Sequence, residues 1–133
     1  RVLEALCSRG FTRNDQAIEK AVQYLLTNQK PDGSWYGRWG VDYIYGTFLA
    51  LKGLRQAGVS DREVYILRAG EWLRSVQNAD GGWGESCRSY DKHSYVAGPS
   101  TASQTAWAVM GLLAGGAQRT GSVIRVPTSC WAS

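Results

Sequence analysis

Cys87, Asp91 and His93 fall within seven residues of one another, and thiol, carboxyl and imidazole groups are the ligand types that zinc takes. The run Cys-Arg-Ser-Tyr-Asp-Lys-His contains neither C-x-x-C nor H-x-x-x-H, so it reads as a solvated loop and no metal is expected. Asp42 and Glu85 are of the type that works in pairs on either side of a sugar bond. Nothing in their local sequence supports that use. His93 is the only histidine and stands in no Ser/His/Asp or Cys/His context. No cofactor motif is present.

The elements that must hold any such residue in place are set by a motif written twice. Gln29-Lys-Pro-Asp-Gly33-Ser-Trp35 returns as Gln77-Asn-Ala-Asp-Gly81-Gly-Trp83. The preceding residues Ile18, Ala21, Tyr24 and Leu25 fall on Ile66, Ala69, Trp72 and Leu73. The following Thr47, Gly53, Leu54 and Gly58 fall on Thr105, Gly111, Leu112 and Gly116 with a larger offset, so about ten residues are inserted after Trp83. Leu3, Leu6 and Gly10 match the end of the same unit, so the chain reads as a fragment cut from a longer array.

Ile18, Ala21, Val22 and Leu25 recur at helical spacing with polar residues between them, which predicts a one-faced helix over roughly 15–28; the pattern repeats over 62–76. Residues 45–57 and 101–114 are apolar on more than one face and predict enclosed helices. Alternation of one-faced helix, glycine turn and enclosed helix gives an all-α fold, an α/α toroid present in part, with a straight solenoid as its rival. Gln29, Gly33 and Trp35, and likewise Gln77, Gly81 and Trp83, are expected to clamp successive helix pairs. The Gln amide serves backbone groups at a helix end, the Gly permits the turn, and the Trp buries a large face while its N–H finds a partner.

A formal charge of +4 without any run of Lys or Arg excludes a nucleic-acid footprint. Cys7, Cys87 and Cys130 are an odd, widely spaced set, which favours a reducing compartment over a disulfide framework. No apolar stretch approaches the ~20 residues of a membrane span. Residues 1–116 are expected to form the toroid domain. Residues 117–133 lack a helix period and the next copy of the motif, and are expected to be an atypical tail.

The two Q-x-x-x-G-x-W elements, each led by an aromatic-Leu pair, resemble the QW repeats of the squalene and oxidosqualene cyclases. The stretch Gly33-Ser-Trp-Tyr-Gly-Arg-Trp-Gly-Val-Asp-Tyr-Ile-Tyr-Gly-Thr47 is similar to a signature of that family, and Asp80-Gly-Gly-Trp-Gly-Glu-Ser-Cys-Arg-Ser-Tyr90 is most similar to its squalene-hopene branch. The resemblance implies an enzyme that folds squalene in an aromatic cavity, protonates a terminal double bond and closes rings through carbocations to a hopanoid. Six Trp and seven Tyr suit that task, because aromatic faces stabilise a moving cation without trapping it. It further implies that Trp39 lines the cavity and that Tyr45 stands beside the catalytic acid. Position 42 is Asp where the hopene branch usually shows Asn, which makes Asp42 a candidate neighbour of that acid.

The family's Asp-x-Asp-Asp acid motif does not occur in this sequence, so the fragment alone is expected to be inactive. Squalene as partner, a homodimer and peripheral attachment to the cytoplasmic face of a membrane are implied by the resemblance alone. Two other toroid classes compare less well. Protein prenyltransferase β-subunits would need a zinc site, and the binding modules of thioester proteins a Gly-Cys-Gly-Glu-Gln element that is absent.

Overall fold

The computed structural model describes residues 1–37 and 42–117. Its helices are α1 (Val2–Ser8), α2 (Gln16–Thr27), α3 (Asp42–Gln56), α4 (Val64–Ser75), α5 (Arg88–Lys92) and α6 (Ala102–Ala114). Among the described residues there is no strand, only an isolated antiparallel bridge between Glu85 and Ala97.

The period of the apolar residues decides which layer each helix joins. In α2 the buried positions are Ile18 and Val22, and in α4 they include Ile66, Ala69 and Leu73, leaving Gln23, Leu67, Glu71 and Arg74 outside. Helix α3 buries ten of its fifteen residues and is covered from several sides. It packs between α1 and α6, with α2 against α1 and α3, and α4 against α3 and α6. The result is two layers, α1-α3-α6 and α2-α4, which is the all-α arc expected of part of an α/α toroid.

The three helices of the first layer end alike. Gly10, Gly58 and Gly116 adopt φ of 91°, 93° and 91°, a left-handed conformation in which glycine carries no Cβ penalty. Each donates its N–H to the carbonyl three residues back (Cys7, Arg55, Leu113), and the next residue donates to the carbonyl five back (Leu6, Leu54, Leu112). This is the Schellman closure. Its presence after α1 makes α1 the end of a unit like the other two.

The repeated motif performs the same bonds twice. Trp35 Nε1 donates to the Leu25 carbonyl and Trp83 Nε1 to the Leu73 carbonyl, both at 2.7 Å. The Trp35 and Trp83 backbone N–H groups donate to the hydroxyls of Thr47 and Thr105, both at 3.0 Å. Gln29 Nε2 bonds the Gly33 carbonyl and reaches across to the Tyr65 carbonyl in the first turn of α4, each at 2.9 Å, while Gln77 Nε2 bonds the Gly81 carbonyl at 2.7 Å. Gly33 is fixed by space as well as by its φ of 98°, since a Cβ there would meet the Arg68 carbonyl oxygen at 2.5 Å. The motif therefore closes its own turn, and in the first copy Gln29 joins the end of α2 to the start of α4.

Three features differ from the sequence reading. Helix α3 begins at Asp42, a turn earlier than the apolar pattern indicates, because its first N–H groups are satisfied by a carboxyl group far along the chain. The insertion after Trp83 is not all loop: it contains α5, with Ser89 buried, and folds back so that Ser86 N bonds the Val96 carbonyl and Gly98 N the Gly84 carbonyl. Helix α6, expected to be enclosed, is buried along Gln104, Ala108, Gly111 and Leu112 and open along Ser103, Ala106 and Met110. The tail beyond Ala117 lies outside the described residues.

The Trp83 indole is fully buried and bonds a helix carbonyl. Trp83→Ala is expected to cost on the order of 3–5 kcal/mol of stability, and Trp83→Phe less, since most of the buried surface remains. Denaturant unfolding of both variants measures this; a loss below 1 kcal/mol in Trp83→Ala would remove the clamp role.

Candidate functional site

Tyr45 sits in the first turn of α3, and its ring is half-buried on a face shared with α6. The Trp107 ring lies 4.8 Å from it between centroids at 53°, and Phe48, one turn on, lies 6.4 Å away at 52°. Further along the same stripe, Lys52 Nζ stands 6.0 Å over the Phe48 ring and pairs with Glu4 of α1 at 2.8 Å. The Tyr45 hydroxyl accepts a hydrogen bond from Arg1 Nη2 at 2.8 Å. Tyr45, Phe48 and Trp107 thus form a fixed aromatic surface carried by two neighbouring helices of one layer. Ring faces in this arrangement offer negative quadrupole potential to a cation.

Beneath this surface, the first turn of α3 is held by Glu85. Its carboxyl oxygens accept from the backbone N–H of Asp42 (3.1 Å), Tyr43 (2.9 and 3.2 Å) and Ile44 (3.1 Å). These are N–H groups that a helix leaves without partners of its own, and they lie at the positive end of the helix dipole. The Glu85 backbone N–H in turn donates to Gln104 Oε1 on α6. Burial pushes the Glu85 carboxyl above the usual carboxylate range, and the bonds from Ile44, Tyr43 and Asp42 and from the Ser89 hydroxyl oppose that push.

Asp42 is fully buried, and among the described residues neither of its carboxyl oxygens has a hydrogen-bond partner. Burial raises its pKa. Tyr43 beside it is likewise buried, its hydroxyl without a partner among the described residues, and burial, then the nearby Asp42 and Glu85 carboxyls, raise its pKa too. Lys30 Nζ lies 5.5 Å over the Tyr43 ring. The start of α3 therefore gathers two buried carboxyl groups, Asp42 and Glu85, and the buried phenol of Tyr43 around residues 42–44, next to Tyr45.

The geometry sorts the remaining candidates. Trp39 lies outside the described residues. Asp42 and Glu85 do come together, but Glu85 is engaged by backbone N–H groups and does not face Asp42 across a cleft as a glycosidase pair would. Cys87 and His93 flank α5 and Asp91 lies in it, all three exposed, and no three His, Cys, Asp or Glu residues assemble a metal site among the described residues. Gln29, Gly33, Trp35, Gln77, Gly81 and Trp83 all belong to the turn-closing bonds described above, and Gln29 also reaches the next repeat at Tyr65. Sequence reasoning missed Glu85 as a helix cap, Gln104 as its support and Trp107 as the partner of Tyr45. A signal for Glu85 existed: the equivalent position in the first copy of the motif is Gly37, so the carboxyl group is a departure from the repeat.

Comparison with known proteins gives a consistent result. The family model for the squalene-hopene cyclase C-terminal domain matches residues 1–127. A squalene-hopene cyclase of Alicyclobacillus acidocaldarius is 53% identical over 116 residues, covering 86% of this chain and 18% of the relative. That of Zymomonas mobilis is 48% identical over 118 residues, covering 87% and 18%. A dammaradiene synthase of the fern Dryopteris crassirhizoma is 45% identical over 112 residues, covering 76% and 16%. The chain thus spans less than a fifth of the length of these relatives.

Because burial raises the proton affinity of Asp42 above its unfolded-chain value, the folded protein holds the proton to higher pH than the unfolded chain. The stability this contributes is complete below the unfolded value and is lost as pH rises through the folded one. Asp42→Asn removes the loss. Thermal unfolding from about pH 4 to 8 should show the Asn variant gaining on the parent with rising pH, by on the order of 1 kcal/mol at the upper end. A difference that does not change with pH would contradict this.

Proposed function

The chain belongs to the squalene-hopene cyclase family, and on that premise we propose that it forms part of an enzyme that cyclises squalene to a pentacyclic hopanoid. In this reading a carboxylic acid elsewhere in the enzyme protonates a terminal double bond. Each carbocation is then attacked by the next double bond, and the last one loses a proton or captures water. The segment described here contributes cavity wall.

The observation that carries the reading is the aromatic surface of Tyr45, Phe48 and Trp107. A cation moving along a hydrocarbon needs electron density close by and no nucleophile that would capture it, and ring faces meet both needs. Rigidity also favours catalysis, because a dipole or quadrupole already in place needs no reorganisation when charge develops. Here the surface rests on α3, whose length is almost wholly buried, and on α6 beside it. Tyr45 adds a hydroxyl at the edge of that surface, suited to orienting an acid or passing it a proton through water. Trp39, six residues earlier in the sequence, is assigned to the cavity wall by the family resemblance, and Asp42 to the acid's surroundings.

The hydrocarbon substrate supports attachment of the enzyme to a membrane surface, and a peripheral protein on the cytoplasmic face, working as a homodimer, is part of the same proposal. No helix among the described residues is long and apolar enough to cross a membrane. The relatives' names include both hopene and dammaradiene products at similar identity over this segment, so the likeness of this segment does not by itself fix the product.

In a complete cyclase carrying this segment, conversion of squalene to a hopanoid should be detected by product analysis. Tyr45→Phe should lower kcat roughly ten- to hundredfold, as expected for loss of a group serving proton transfer. Trp39→Phe should retain more activity than Trp39→Ala, and the latter should release incompletely cyclised products. Parent-like rates and products in both Tyr45→Phe and Trp39→Ala would overturn the assignment.

A further inference from the structure

Helices α3 and α6 begin in corresponding places, after the first and second copies of the motif, yet their first turns are closed differently. Helix α6 is capped locally: the Thr101 hydroxyl accepts from the Gln104 backbone N–H at 3.2 Å. The first turn of α3 gives three backbone N–H groups to Glu85, more than forty residues away. Glu85 belongs to the second motif, two residues beyond Trp83, and the first motif has Gly37 in its place. Gly37 instead donates its own N–H to the Asp42 carbonyl at 2.8 Å. The carboxyl group is thus not an obligatory part of the repeat. It is found where the helix it closes carries Tyr45.

We propose that Glu85 is a positioning residue for cyclisation: its carboxyl group fixes the first turn of α3 against α6 and so sets the placement of Tyr45. The inference rests on the cyclase reading. Tyr45 directly follows the three residues whose N–H groups Glu85 holds, and side chains of a helix lean towards its N-terminus, over that same turn. The Glu85 backbone is bonded to Gln104 of α6, and Trp107, the ring that packs on Tyr45, lies one turn further along α6. One residue therefore references both rings of the aromatic pair. Its own placement is secured by the bridge to Ala97 and by burial, with only 5% of its surface exposed. Among the described residues no other side chain bonds these three N–H groups, so without this hold Tyr45 would drift relative to Trp107. Displacement of a catalytic group by about 1 Å is enough to cost up to a hundredfold in rate.

The test is made in a complete cyclase carrying this segment, with Glu85→Gln, Tyr45→Phe and the double variant. Glu85→Gln keeps one acceptor oxygen but turns an NH2 group towards backbone donors. Hydrogen-deuterium exchange over residues 42–48 should become roughly tenfold faster, with the second motif's own turn unaffected. The kcat should fall roughly tenfold or more with KM little changed, and the double variant should be no slower than Tyr45→Phe alone. Unchanged exchange over 42–48 would overturn the tether. Faster exchange with kcat effects that multiply in the double variant would overturn the link to Tyr45. Should Glu85→Gln not fold, Glu85→Asp, which withdraws the carboxyl by one methylene, is read by the same three quantities. A parent enzyme that leaves squalene unconverted would defeat the cyclase reading, with the tether still decided by exchange.

Discussion

Every helix end carries backbone groups that no intrahelical bond can satisfy, and at the start of α3 those groups are buried. Leaving such a group buried and unpaired costs about 1–3 kcal/mol, so a covered helix end needs a partner from another part of the chain. In this chain the partners are side chains that cross between elements. Trp35 and Trp83 serve the carbonyls of Leu25 and Leu73, Gln29 serves Tyr65, and Glu85 serves the start of α3. Packing alone would allow the helices to slide; these bonds have direction and fix their relative height. The aromatic surface of Tyr45 and Trp107 inherits its geometry from that register.

Much of this was readable in advance. The period of Ile18, Val22 and Leu25, the glycine stops and the repeat offset located α2, α4 and the ends of the first-layer helices within a few residues, because local periodicity and local turn chemistry control them. The partner of each Trp backbone N–H was also implicit, since Thr47 and Thr105 keep their alignment through the insertion. What could not be read was non-local. The start of α3 depends on Glu85, and no window around Asp42 contains it. Helix α5 is a single short turn whose formation follows from the folding back of the insertion. The apolar character of α6 indicated burial on all sides, but among the described residues only the side towards α3 and α4 is covered, because apolarity says that a face wants a partner and not which chain segment supplies it.

The site follows the same division. Tyr45 is proposed from the family resemblance of its motif, whereas its ring partner Trp107 belongs to another repeat and only the packing of α3 on α6 brings the two together. The buried Asp42 is the clearest local conflict in the chain, a carboxyl group without a hydrogen-bond partner among the described residues at the head of the most buried helix. Such conflicts concentrate where a protein uses its residues rather than merely packs them. Here it lies within one turn of Tyr45.

The central claim is that this face of α3 and α6 is open to a polyene and to the positive charge that develops on it. A structure of a complete cyclase carrying this segment, bound to an ammonium analogue of squalene, tests it most directly. The account predicts the hydrocarbon lying along Tyr45, Phe48 and Trp107, with a ring centroid within about 6 Å of the ligand. An analogue bound elsewhere, with that face closed over by protein side chains, would contradict it.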